Sequence, residues 1–153
     1  MNQIEEMEAV QSLANVEAEQ NILGGVLIEP TAITRCAILT PEKFYQAQHR
    51  IIFRALLDMA AANEPIDIIT LNDKLEARGE AENAGGLAYL IDLSQNTPSA
   101  KNISRYVDIV NDRFVERGLL RASAVIEKIA VSKDGETVAE KLSKAADELA
   151  AVD

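Results

Sequence analysis

The amino-acid sequence predicts an all-α fold, with a compact multi-helix head followed by an antiparallel helical hairpin. Aromatic residues make up only 4% of the 153 residues and tryptophan is absent, which favours helices over sheets packed with aromatic side chains. Apolar residues also recur at spacings of three and four along most of the chain, the period of an amphipathic helix. The 48% hydrophobic content is enough to fill one core in a chain of this length.

Charge is distributed unevenly along the chain, whose net charge is −10. Residues 1–34 contain six acidic residues and no lysine or arginine, and we interpret residues 1–15 as a flexible acidic lead. A domain that holds DNA by itself normally presents a basic face, so we expect little or no direct DNA binding. No apolar stretch is long enough to span a membrane, and residues 1–8 lack the basic and apolar regions of a secretory signal, which predicts a cytoplasmic protein.

The head is predicted over residues 16–97, and its first helix is bounded by Asn15 as N-cap and by Pro30 as the stop. Gly24 and Gly25 lie inside this helix, where each costs about 1 kcal/mol relative to alanine. We interpret them as the point where a neighbouring helix approaches closely. A phosphate-binding loop is disfavoured because no strand precedes them and no Gly-Lys-Ser/Thr motif follows.

Four further helices complete the predicted head. A short helix is expected over 31–39, a central helix over 48–62, a helix capped by Asp67 or Thr70 that ends at Gly79, and an apolar helix over 85–93. The last of these contains no arginine or lysine, which excludes a DNA-recognition helix at this position.

The hairpin is predicted over residues 99–153, after the break around Pro98. Ser99 is expected to cap one long helix that reaches about residue 132, with Gly118 marking either a kink or a tight helix contact. A turn at 133–135 leads to a last helix over 137–151, which has Val138, Leu142, Ala145 and Leu149 on one face. A thin hairpin cannot bury both of its apolar stripes on itself, so we expect a partner surface, most simply a second copy.

No catalytic, cofactor-binding or metal site is predicted. His49 is the only histidine and Cys36 the only cysteine, and neither has companions at the spacing of a nucleophile motif or a metal site. We therefore expect a packing or capping role for His49. Acidic residues are numerous, but on helices such as these they are usually a solvated face.

Three arginines, Arg113, Arg117 and Arg121, recur every four residues on the long helix. One interpretation is a charged face with local pairs such as Arg113 with Glu116. The other is a docking strip for an acidic segment of a partner, because arginine is favoured at interfaces.

Four stretches, taken together, resemble the N-terminal domain of bacterial replicative DNA helicases of the DnaB family. They are EAEQNILGGVLIEPTAI, FYQAQHRIIFRALLDM, PIDIITLNDKLEARGE and GGLAYLIDLSQNTPSAKNISRYVDIVNDRFVERGLLR, and the resemblance covers residues 16–130. The resemblance implies that hairpins of two subunits pair and that six subunits form a collar, which is a trimer of dimers. It also implies that this collar binds the helicase-binding domain of primase and other replisome proteins. The residues expected at protein interfaces are Tyr106, Val110, Arg113, Phe114, Arg117, Arg121, Val125 and Leu142.

The chain departs from full-length members of this family because it contains no Walker A motif and ends at Asp153. The resemblance implies that ATP and Mg²⁺ belong to an ATPase motor domain absent from this chain, so we expect no cofactor here and no enzyme activity from this chain alone. A fragment of a full helicase is the favoured interpretation. The alternatives are a stand-alone phage or plasmid relative that binds or inhibits a host helicase, and a weak single-stranded DNA-binding module.

Overall fold

The computed structural model describes residues 2–152, and within them all the regular structure is helical. The predicted all-α class is therefore confirmed. The α-helices are α1 (Gln3–Ser12), α2 (Val16–Ile28), α3 (Ala47–Ala61), α4 (Ile68–Ala77), α5 (Gly86–Gln95), α6 (Ile103–Val131) and α7 (Val138–Ala150). Short 3-10 helices occupy Pro30–Cys36 and Pro41–Lys43. In the described part of the chain, no helix is long and apolar enough to cross a membrane.

Contacts divide the chain into two compact units. The head comprises Ala14–Asn111, and the hairpin unit comprises residues 2–13 and 112–152. The predicted boundary, at the break between residues 97 and 99, is therefore too early. The reason is that Ile103, Val107 and Val110, on the first turns of α6, are buried in the core of the head.

The core of the head is formed mainly by α2, α3, α4 and α5. Large side chains such as Ile22, Phe53, Leu71 and Leu90 are completely buried in it, and each contributes about 1.5–3 kcal/mol through the removal of apolar surface from water. The rings of Phe44 and Phe53 pack with their centroids 4.7 Å apart. The head therefore has a closed hydrophobic core of its own.

Two predicted helix caps of the head are confirmed. The side-chain oxygen of Asn15 accepts a hydrogen bond of 2.9 Å from the Ala18 amide at the start of α2. At α4, Asp67 accepts from the Thr70 amide at 2.8 Å, and the Thr70 hydroxyl accepts from the Asp67 amide at 2.9 Å. Both residues weighed as the cap thus act together in a reciprocal capping box. The short helix expected over 31–39 is a 3-10 helix ending at Cys36, the form common in brief connections.

Gly24 lies where a neighbouring segment of the head approaches α2 closely. A Cβ atom there would lie 2.0 Å from the Thr97 hydroxyl oxygen and 2.3 Å from the Leu93 carbonyl oxygen. At Gly25 the nearest atom would be the terminal methyl of Ile103, at 3.2 Å. The predicted close approach is confirmed, and it is tighter at the first glycine than at the second.

The expected flexible lead over residues 1–15 is corrected by α1. The Asn2 side chain accepts from the Glu5 amide at 2.8 Å, and the Glu5 carboxylate accepts from the Asn2 amide at 3.3 Å. This capping box satisfies two groups at the helix start, where backbone amides have no partner within the helix. No residue of α1 is buried, so the helix is formed by local interactions and not by a core.

The hairpin is formed by the second part of α6 and by α7. Lys141 donates from Nζ to the carbonyl oxygens of Ala130, at 3.0 Å, and Ser132, at 2.8 Å, which closes the turn between the helices. A Cβ atom on Gly118 would lie 3.0 Å from a methyl of Val152, so the tight contact is confirmed. The predicted cap of α6 is wrong: the helix begins at Ile103, and Ser99 accepts instead from the Lys101 amide within the preceding turn.

Candidate interaction surface

A buried polar cluster links three helices of the head. His49 Nδ1 donates to Glu19 Oε1 at 2.7 Å, and His49 Nε2 lies 2.6 Å from the hydroxyl of Tyr89. Glu19 also accepts from the backbone amides of Tyr45 and Gln46, at 2.7 and 3.3 Å. Glu19 and His49 are each at most 1% exposed, so solvent does not reach this pair.

This cluster is suited to holding the fold together. Because the Glu19 carboxylate can only accept, Nδ1 carries the proton of their hydrogen bond, and Nε2 pairs with the Tyr89 hydroxyl. Among the residues that the structure describes, no buried side-chain nitrogen or oxygen lacks a hydrogen-bond partner. The packing role expected for His49 fits this arrangement. The sequence gives no sign of the cluster itself, because its members lie 30 and 40 residues apart.

The other candidate for chemistry, Cys36, is a free cysteine in the core of the head. Burial raises the pKa of its thiol from 9.0 to about 11, and the neighbouring Arg35 charge offsets only part of that effect. Since the thiolate is the reactive form, this thiol is poorly suited to nucleophilic attack. Within residues 2–152, no group of three or more histidine, cysteine, aspartate and glutamate side chains could hold a metal ion.

The hairpin presents an apolar surface that the chain itself leaves uncovered. Val138, Leu142 and Leu149 of α7 are 74%, 66% and 55% exposed, and we refer to these three residues as the apolar stripe. No residue of α7 is buried. The structure therefore confirms that this helix keeps its large apolar side chains outside the hairpin.

The position of the stripe on α7 explains its exposure. Three residues of α7 are half-buried and recur at helical spacing, so they mark the face that α7 turns towards the rest of its unit: Lys141, Ala145 and Glu148. Within the apolar stripe, Leu142 lies one position after Lys141, and Leu149 lies one position after Glu148. Its side chains consequently lie beside this contact face and are not within it. A row of exposed apolar residues with polar neighbours is typical of a protein interaction site.

The structure separates the eight predicted interface residues into three groups. Arg121, Val125 and Leu142 are exposed, Tyr106, Arg113 and Phe114 are half-buried, and Val110 and Arg117 are buried. Only the first two groups offer side-chain surface to a partner in this conformation. Val125 is 37% exposed and Leu142 is 66% exposed.

The inclusion of Val110 and Arg117 is corrected. Val110 is 2% exposed because the start of α6 contributes to the core of the head. Arg117 is 6% exposed and donates from Nη1 to the carbonyl oxygen of Leu13 at 2.7 Å. Arg113 pairs with Glu116 at 2.9 Å, as the local-pair interpretation predicts. The three arginines therefore do not form one continuous exposed basic strip, and a nucleic-acid site on them finds no support in this geometry.

Comparison with a family model gives a match to residues 11–112, and the family is described as the DnaB-like helicase N terminal domain. The chain is 37% identical over 123 residues to the replicative DNA helicase DnaB of Geobacillus stearothermophilus, covering 80% of this chain and 27% of that protein. It is 38% identical over 132 residues to DnaB of Pasteurella multocida, covering 86% of this chain and 28% of that one. The chain thus spans less than a third of the length of these curated relatives.

Two solved structures are similar to the fold. The crystal structure of the N-terminal domain of DnaB helicase from Mycobacterium tuberculosis has a TM-score of 0.82 at 32% identity, covering 90% of this chain and 96% of that one. A DnaB-like replicative helicase, described with its interactions with primase, has a TM-score of 0.74 at 25% identity. That match covers 91% of this chain and 32% of the other.

Proposed function

Because the chain belongs to the DnaB-like helicase N-terminal domain family, we propose that it is the scaffold domain of a replicative DNA helicase. In this proposal the hairpin pairs one subunit with another, and the domain also receives the helicase-binding domain of primase. ATP-dependent unwinding, with its ATP and Mg²⁺, belongs to a motor domain of the parent protein. The chain itself contributes assembly and recruitment.

The observation that carries the proposal is the apolar stripe on α7. Burial of a valine or leucine side chain stabilises a protein or a complex by about 1.5–3 kcal/mol. In a single chain the side chains of the apolar stripe are mostly exposed, so most of this stabilisation is gained only when a partner covers them. A second hairpin offers the same row of side chains, as a symmetric dimer interface requires. The exposed Val125 of α6 adds to the apolar surface of this unit.

Primase docking is supported by similarity alone. The chain matches, over 91% of its length, a DnaB-like helicase whose structure is described together with its interactions with primase. The exposed and half-buried side chains at Arg113, Phe114 and Arg121 are candidates for part of such a surface, since arginine and aromatic residues are enriched where partners bind.

Pairing is tested by sedimentation equilibrium of the wild type and of Leu142→Glu over a range of concentrations. We expect reversible dimers or larger species for the wild type, and a dissociation constant raised by about tenfold or more for the variant, because a charge replaces apolar contact. Ile69→Glu is the matched control, since Ile69 lies on α4 in the head and is 71% exposed. It should associate like the wild type. A wild type that stays monomeric at the highest concentration would contradict pairing.

Primase docking requires a separate titration, with the helicase-binding domain of the primase from the same organism as the probe. We expect saturable binding to the wild type, weakened by Arg121→Glu and unchanged by Ile69→Glu. If isothermal titration calorimetry detects no heat of binding and the sedimentation coefficient of the intact dimer does not change, docking is removed from the proposal and pairing is unaffected.

A further inference from the structure

Helix α1 and the second part of α6 enclose a groove. The groove has a volume of about 440 Å³ and is lined from α1 by Glu6 and Val10. Arg117 ties the end of α1 to α6 by donating to the Leu13 carbonyl oxygen at 2.7 Å. The helix therefore lies over one face of α6 and leaves room for side chains between them.

The fit of α1 on this face is loose. No residue of α1 is buried, and its two largest apolar side chains, Ile4 and Met7, are 68% and 63% exposed. Val10, which lines the groove, is only half-buried. A helix that buries so little apolar surface gains little free energy from its position, since the gain is roughly proportional to the buried area.

The side chains of α6 that lie beneath α1 indicate which kind of ligand this surface binds. Its α6 residues combine apolar and small side chains with two cations and one carboxylate, and we refer to them as the α6 seat: Leu120, Arg121, Ser123, Ala124, Glu127, Lys128 and Val131. Helix α1 carries Glu5, Glu6 and Glu8 and no basic residue. The chain thus places an acidic helix on a seat that contains two cations.

We propose that α1 is a displaceable cover, and that the α6 seat beneath it binds an acidic amphipathic helix of a partner protein. Because α1 is covalently connected to the rest of the chain through Leu13, its effective concentration at the seat is high. A partner must therefore bind the seat more tightly than α1 does, or bind while α1 is dissociated from it. This seat is separate from the apolar stripe on α7 and does not depend on pairing of hairpins.

The test uses the full-length chain and a labelled synthetic peptide with the α1 sequence, residues 2–13, as the probe. Val10→Asn replaces the apolar side chain that α1 places in the groove by a neutral polar one and should release the tethered helix without changing the charge of the groove. Fluorescence anisotropy should then show the peptide binding at least about tenfold more tightly to this variant than to the wild type. Met7→Asn is the matched control, because it makes the same change on the exposed side of α1 and should bind the peptide as weakly as the wild type.

Three further measurements distinguish the possible outcomes. A peptide in which Glu5, Glu6 and Glu8 are replaced by lysine should bind Val10→Asn about tenfold more weakly, and equal binding of the two peptides would overturn the preference for an acidic helix. Equal binding of the original peptide to Val10→Asn and the wild type would overturn the proposal that α1 covers the seat. If Val10→Asn instead forms dimers that Lys128→Glu abolishes, a second copy occupies the seat and the proposed partner is wrong. Leu142→Glu should leave peptide binding unchanged, which separates this result from failure of hairpin pairing.

Discussion

The head and the hairpin unit differ in how far they bury their large apolar side chains. In the head, Ile22, Phe53 and Leu71 are completely enclosed by neighbouring helices of the same unit. In the hairpin, Val138 and Leu142 remain more than 60% exposed. The difference indicates that the head is stabilised by its own core, whereas the hairpin leaves large apolar side chains exposed, as the proposed pairing requires.

Polar residues show the same contrast. Glu19 and His49 are buried in the head and hold several segments in one arrangement. In the hairpin, Lys144 pairs with Glu136 at the surface, and the hydrogen bond to that carboxylate is the main reason the pKa of Lys144 is raised. Exposed pairs of this kind contribute little to stability because solvent screens them. The buried polar pair of the head therefore specifies a structure, whereas this surface pair of the hairpin adds little to the stability of its unit.

The largest expected effect lies in the buried cluster of the head. Glu19→Ala removes the acceptor of the His49 ring and of two backbone amides, and we expect a loss of about 4 kcal/mol in the free energy of unfolding because three donors are left without a partner. The matched control is Glu17→Ala, an exposed residue of the same helix, which should cost less than about 1 kcal/mol. Urea denaturation of both variants measures the difference. Similar values for the two would show that the cluster does not stabilise the head.

A smaller effect is expected where α2 packs closely against its neighbours. Gly24→Ala would place a methyl group within 2.3 Å of the Leu93 carbonyl, a backbone atom that cannot move alone, and should cost about 3 kcal/mol. Gly25→Ala meets only the flexible end of Ile103, so its cost should stay within about 1 kcal/mol. Thermal unfolding of the pair tests the comparison. A Gly24→Ala variant as stable as Gly25→Ala would mean that the approach is looser than described.

The smallest effect on stability is expected in the hairpin. Leu142→Glu, measured at a concentration low enough to keep the chain monomeric, should change the free energy of unfolding by no more than about 0.5 kcal/mol, since the side chain is already largely exposed. A loss comparable to that of Gly24→Ala would show that Leu142 is buried within the single chain, and the contrast between the units would fail.

Several features of this fold were predictable because their signals are local. The Asn15 cap, the break at Pro30 and the capping box at Asp67 each depend on residues within four positions of one another. The apolar stripe on α7 was also predictable, because a period of three to four residues reveals a face. Gly24 could be interpreted correctly since two adjacent glycines within a helix require a packing reason.

Other features could not be predicted because they depend on distant parts of the chain. The pairing of Glu19 with His49 joins positions 30 residues apart, and nothing local announces it. Val110 and Arg117 share the period of their neighbours on α6, yet the surrounding structure buries both of them. Helix α1 is a different case: Asn2 followed by Glu5 is a capping-box signal that was present in the sequence, but the lack of apolar periodicity concealed it.

The central claim is that the head has a self-contained hydrophobic core, whereas the hairpin has an apolar surface that a second copy covers. Amide hydrogen exchange at low and high protein concentration tests this claim most directly. Exchange reports the opening free energy of each segment separately. We predict that protection of α7 rises with concentration, because pairing covers Leu142 and Leu149, while protection of α2 and α3 stays the same. Protection of α7 that is independent of concentration would contradict the account.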